Sequence, residues 1–309
     1  MINRALIRLK VVQLVYSYYK KGDDNLDAAL SELQTSLSKA YELYLYLLHT
    51  LVSLQRYAER KSEAEQARAE RLNLTLDDEQ PDRHLAANKL LLQLRDNEVL
   101  CQFAEKHGEW EEEPSFVKSL YDQFVGHQAF LEYVAMGDHS YEADREIVRR
   151  LYKSVICQND TFDQLLEDHS LYWNDDKEIV DSFVLKTIRR YRADAGPGDP
   201  LLPQYDSQED QAFGEQLFRA AIAYEAEARQ LISDNCRNWD FNRMAFMDIV
   251  IAQIALAEIT QFADIPLNVS FSEYIDIAKI YSTPKSAHYL NGLLDHIVKR
   301  LKADGKLFK

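Results

Sequence analysis

The sequence predicts an all-α protein, and three observations carry that reading. Only nine glycines and seven prolines punctuate 309 residues, roughly 5 % against the ~12 % of ordinary chains, so turns are few and helices long. Apolar residues recur at helical spacing, and β-branched runs such as residues 249–251 sit inside that period instead of alternating as a strand would. The length exceeds one ordinary domain, so two bodies or one elongated body are expected.

The elements follow in order. A first helix over residues 3–20 places Ile7, Val11, Leu14 and Tyr18 on one inward stripe, while Arg4 and Arg8, four apart, share another face. Gly22, Asp23 and Asp24 break it, and two long helices are expected between residues 26 and 74. The second of these, residues 54–72, contains ERKSEAEQARAER, an Ala-rich run of mixed charge without an apolar heptad. Such a run suits a solvated helix laced by weak ion pairs of ~0.3–0.5 kcal/mol each. Residues 74–85 read as a loop around Pro81, and helical pattern resumes over residues 85–106.

Further along, residues 151–173 lie without gaps over residues 217–239, matching Leu151 with Leu217, Gln164 with Gln230 and Trp173 with Trp239. The overlay makes the middle of the chain a decayed repeat of a helical hairpin. Residues 195–203, AGPGDPLLP, hold three of the seven prolines and read as a linker. An apolar helix precedes residues 265–295, where the punctuation is densest. There Pro266 ends one helix, Ser270 and Glu273 stand three apart as a capping box, and Pro284 with Ser286 restarts the chain. Helices are expected over about 271–281 and 285–302, with Tyr289, Asn291 and Gly292 near the start of the second, where a base or a backbone can approach closely.

Net charge is −15, which by itself opposes nucleic acid. Its distribution does not: residues 1–22 and 279–309 are each +5, which leaves −25 on the rest. Basic ends flanking an acidic middle can hold phosphate locally and repel it elsewhere. The residue types for catalysis are scarce, with no H-E-x-x-H, no nucleophile elbow and no glycine-rich phosphate loop. Acidic runs such as residues 109–113 (EWEEE) and the pair Asp175 and Asp176 read as solvated turns, and His288 as an exposed or capping histidine. Cys101, Cys157 and Cys236 lack any C-x-x-C spacing, so neither zinc nor a disulfide framework is expected. No metal, cofactor or catalysis is expected. Arg8 and Lys10 interrupt the only N-terminal apolar run, and Asp248, Gln253 and Glu258 interrupt residues 244–259, so the sequence predicts a cytoplasmic protein without a membrane span.

The pattern over residues 265–295, together with residues 239–259 (WDFNRMAFMDIVIAQIALAEI) and with Val12, Gln13, Tyr16, Ser17 and Tyr18 after a basic helix start, resembles the NusB family of transcription antitermination factors. The resemblance implies a NusB-like helical bundle with an additional helical insertion domain: residues 1–22 as first helix, 23–206 as the insertion, 207–309 as the C-terminal domain. It also implies binding of single-stranded, boxA-like RNA of nascent ribosomal leaders, with NusE, the small-subunit ribosomal protein, within an RNA polymerase antitermination complex. Carried onto this sequence, the RNA-binding residues are Arg4, Arg8 and Lys10 on the first helix and Lys285, Tyr289 and Asn291 at the C-terminal loop and helix. Lys285 stands where the family often has an acid. The same helical domain fronts RNA cytosine methyltransferases, but no nucleotide-binding βα pattern occurs in these residues. A helical interaction scaffold without direct RNA binding is the alternative.

Overall fold

A computed structural model describes residues 1–22, 25–75, 80–107, 114–173, 175–236 and 244–307. Among them the backbone is helical, apart from loops and one isolated bridge between Ile2 and Tyr205. The first helices are α1 (Arg4–Lys21), α2 (Leu26–Leu72), α3 (Pro81–Ala86), α4 (Lys89–Asp96) and α5 (Glu98–His107). Then come α6 (Pro114–Gly126), α7 (Gln128–Met136), α8 (Tyr141–Leu151) with a π turn at Tyr152–Ile156, α9 (Asp160–His169) and α10 (Lys177–Arg190). The last five are α11 (Gln208–Ala223), α12 (Glu225–Asn235), α13 (Phe246–Gln261), α14 (Leu267–Tyr281) and α15 (Pro284–Ala303).

Local chemistry explains most of these ends. The Asn3 side chain accepts from the Leu6 amide to start α1, and Gly22 ends it in the left-handed conformation, φ 64. The two helices expected between residues 26 and 74 are one 47-residue helix, α2, because no glycine or proline occurs within it. It stops at Asn73, whose φ of 51 a short amide side chain tolerates. The capping box expected at Ser270 and Glu273 does not form, since α14 already begins at Leu267 behind Pro266 and Ser270 is inside it and buried. The restart at α15 does form, with Pro284 in the first turn and Thr283 Oγ1 accepting from the Ser286 amide. Residues 109–113, Trp239 and the start of the 239–259 segment lie outside the described residues.

The chain folds as two compact units, one of Met1 and Lys39–Gln204, the other of Ile2–Ser38 and Tyr205–Lys309. The boundary falls within α2, not at residue 22. Its first turns join the second unit because Gly214 of α11 leaves room for them: a Cβ there would stand 3.6 Å from Leu37 and 3.8 Å from Leu33.

In the second unit α13 is the axis. A helix apolar on every side must be buried on every side, and residues 248–259 are buried throughout, packed by α1, α11, α12, α14 and α15. In the first unit α8 packs on α4, α7, α10 and the π turn. There α2 is tied down by Tyr44, whose hydroxyl meets Thr187 Oγ1 at 2.7 Å, and by the Trp173 indole N–H, which donates to the Lys39 carbonyl at 2.9 Å. The proline-rich stretch 195–203 is held against the α4–α5 corner: the Glu98 amide donates to Pro197 O and the Asn97 side chain to Asp199 O, both at 2.9 Å.

Candidate nucleic-acid interface

Residues expected to meet RNA from α1 are distributed by helix geometry and burial. Arg8 is not at the surface. Its side chain is 2 % exposed, and Nε and Nη2 donate to the fully buried carboxylate of Glu258 at 2.7 and 3.1 Å. Ser270 Oγ donates to the same carboxylate at 2.7 Å and the Tyr274 hydroxyl at 3.0 Å. Glu273 adds a second carboxylate 3.7 Å from Arg8. Burial works against the Arg8 charge, but the hydrogen bonds and charge of Glu258 outweigh it and the guanidinium pKa is raised. Burial and the Glu258 charge hold the Tyr274 phenol well above its usual range. This network ties α1, α13 and α14 together; Lys10, also 2 % exposed, is equally withdrawn. The expectation that Arg8 and Lys10 present charge to RNA is corrected by this burial: α1 is packed by three helices, so positions off its apolar stripe are covered too.

Arg4 stays accessible, with its side chain 38 % exposed. It donates to Asp210 at 2.8 Å, lies 5.0 Å over the Phe213 ring and lines a groove of about 1040 Å³ beside Arg219, Gln216, Gln261 and Phe262.

A second cationic surface, missed from sequence, forms at the far end of α1. Lys20 is exposed, with Nζ 4.8 Å from the Phe246 ring centre and 5.5 Å from that of Tyr16. Tyr16 and Phe246 are tilted against each other at 5.4 Å, and Arg229 approaches Phe246 at 5.9 Å. Gln13, Tyr16 and Lys20 share one face of α1. Gln13 donates to the Tyr281 hydroxyl at 2.5 Å, which sets this face beside the end of α14, just before the turn that leads to Lys285. Arg4 is sixteen residues from Lys20, roughly 24 Å along the axis and on nearly the opposite side. The two cations therefore belong to different surfaces. The sequence signal for the second was the Tyr16 to Lys20 spacing of four; Phe246 comes from another helix and no spacing could pair it.

On α15, Lys285 and Asn291 are exposed, as is His288. Tyr289 is half-buried, its phenol raised by burial first and by Cys236 second. A methyl group added at Gly292 would meet no atom within 4 Å, so nothing in the fold requires glycine there. Cys101, Cys157 and Cys236 are free thiols. Among the described residues no group of three or more His, Cys, Asp or Glu could hold a metal ion, and no helix is long and apolar enough to cross a membrane.

Residues 184–299 match the NusB family. The chain is 33 % identical over 132 residues to the transcription antitermination protein NusB of Salinibacter ruber, covering 82 % of that protein and 41 % of this chain. With the namesake from Bacillus velezensis it shares 34 % identity over 105 residues, 81 % of that protein and 34 % of this chain. The protein of the same name from Chloroherpeton thalassium is 44 % identical over 78 residues, 37 % of its length and 25 % of this chain. No solved structure matches. With four fifths of two such relatives covered at this identity, and an all-α bundle around α13 in place, the chain belongs to the NusB family.

Proposed function

We propose that the protein is a cytoplasmic, RNA-binding transcription antitermination factor, without catalysis or cofactor, that takes single-stranded boxA-like RNA across the Gln13, Tyr16 and Lys20 face of α1. NusE, the small-subunit ribosomal protein, and RNA polymerase complete the assembly. The observation that carries the reading is Lys20 over the Tyr16 and Phe246 rings. A cation beside tilted aromatics offers what an unpaired strand binds: a charge for the phosphate and a face for the base. Lys285 and Asn291, exposed on α15, extend the same path, Lys285 as a phosphate contact and Asn291 as an edge contact. Tyr289, half-buried, stacks on a base with the exposed part of its ring. Arg4 contributes a separate phosphate contact, while Arg8 and Lys10 act through the fold. The names of the relatives, transcription antitermination proteins, support this reading.

The burial of Arg8 and Lys10 favours a second reading, a helical scaffold that meets only proteins, because it thins the surface charge of α1. Titrating a defined leader RNA into the purified protein, with and without the small-subunit ribosomal protein, separates the two. The factor binds RNA alone and more tightly with the partner; the scaffold binds the partner and never the RNA.

A further inference from the structure

The unit of Met1 and Lys39–Gln204 carries a cleft of about 640 Å³, within the ~300–1,000 Å³ range of ligand sites. Its floor is the π turn, in which the Cys157 amide reaches back to the Tyr152 carbonyl at 3.1 Å, a widened turn that recurs at functional positions. Its walls are α9, which presents Asp163, Leu166 and Glu167 at positions i, i+3 and i+4, and α10, which presents Glu178, Asp181, Ser182 and Leu185. Trp173 closes one end.

The charges decide what fits. Lys177 lines the cleft but has nothing to give a ligand: its ammonium contacts Ile156 O at 3.1 Å, Asp181 Oδ2 at 2.9 Å and Asp163 Oδ1 at 3.2 Å. Asp181 in turn accepts from the Tyr152 hydroxyl at 2.6 Å. The Cys157 thiol, pushed up to about 12 by burial, is no nucleophile. Glu167 and Glu178 are exposed and form no ion pair among the described residues, against a lone exposed Lys153 on the floor. An anionic ligand is repelled. The cleft asks for a cation with an apolar stem, the charge between the α9 and α10 carboxylates and the stem along Leu166 and Leu185. The attraction continues past the rim, since residues 158–185 hold eight acids and one lysine.

We propose that this cleft docks a protein partner through one inserted basic side chain, arginine in preference to lysine, from a segment that is itself basic. Arginine is preferred because its planar fork can engage two carboxylate oxygens at once, which an ammonium cannot. A protein segment is preferred to a free amine because the acidic field extends beyond the volume a small cation fills. The site lies in the part of the chain outside the RNA-binding reading, so either stands without the other.

The test is fluorescence anisotropy of the full chain with short labelled peptides that differ only in their central residue: arginine, lysine, citrulline or norleucine, flanked by scanned positions. Arginine peptides should bind at least about tenfold more tightly than citrulline peptides, with lysine between. Glu167→Gln with Glu178→Gln should weaken the arginine peptide by about tenfold at an unchanged melting temperature, while Glu142→Gln, an exposed acid on α8, should leave it unaltered. Equal binding of arginine and citrulline peptides, or undiminished binding by the double variant, overturns the proposal. Spermidine that saturates the protein where no peptide binds also overturns it, by making the cleft a small-amine site.

Discussion

Arg8 and Glu258 form a bidentate ion pair at 2.7 and 3.1 Å in the interior of the second unit, across 250 residues of sequence. It welds the first helix to the central one. A basic residue that resembles part of an RNA-binding cluster is thereby a structural element, its carboxylate partner further satisfied by Ser270 and Tyr274.

Removing one member of such a pair strands the other charge away from water. Arg8→Met should therefore cost about 3–5 kcal/mol in urea unfolding, and Arg8→Met combined with Glu258→Leu should restore a large part of it. A single variant within about 1 kcal/mol of the parent protein would mean that Glu258 finds another partner or water.

Gly214 sets how closely α1, α2 and α11 approach, since a Cβ there would already stand 3.2 Å from Ile7 Cγ2. Gly214→Leu should destabilise the protein by roughly 1–3 kcal/mol through overpacking. A thermal melt reads it; an unchanged midpoint would show that α2 yields freely at this contact.

Much of this architecture was legible in the sequence because it depends on local chemistry. Gly22 and Pro284 fix helix ends through backbone geometry alone, and the apolar run before Pro266 fixes the buried central helix. Arg8 was misread because an exposed and a buried arginine look alike until the distant Glu258 is in place. The single helix α2 was misread as two because its composition changes from apolar to charged along its length, whereas only a glycine or proline would have ended it. The Lys20, Tyr16 and Phe246 cluster depends on a tertiary contact between α1 and α13, beyond the reach of any spacing rule.

His49 of α2 is buried, and burial first, with Arg56 second, lowers its pKa from 6.5 to about 4. Above 6.5 the folded and unfolded chains are both neutral at this site. Between 6.5 and about 4 the unfolded chain takes a proton that the folded one refuses, so stability falls as pH falls, by roughly 3 kcal/mol in full. Unfolding measured across this window should show the fall, and His49→Leu should flatten it. A variant with the parent's acid sensitivity would assign it elsewhere.

Phe246 should contribute to RNA affinity through stacking, which depends little on salt. Phe246→Ala should lose about 1–3 kcal/mol of binding at low and high ionic strength alike. If the variant melts lower yet binds RNA normally once folded, the ring serves only the fold.

The most direct measurement is the slope of log affinity for single-stranded leader RNA against log salt, taken for the parent chain and for Lys20→Ala with Lys285→Ala. Both residues are exposed, so helicity should not change. Each lost phosphate contact removes about 0.7 from the slope, and the double variant should be shallower by roughly 1.4. An unchanged slope in a folded, RNA-binding double variant would contradict the placement of RNA on this face.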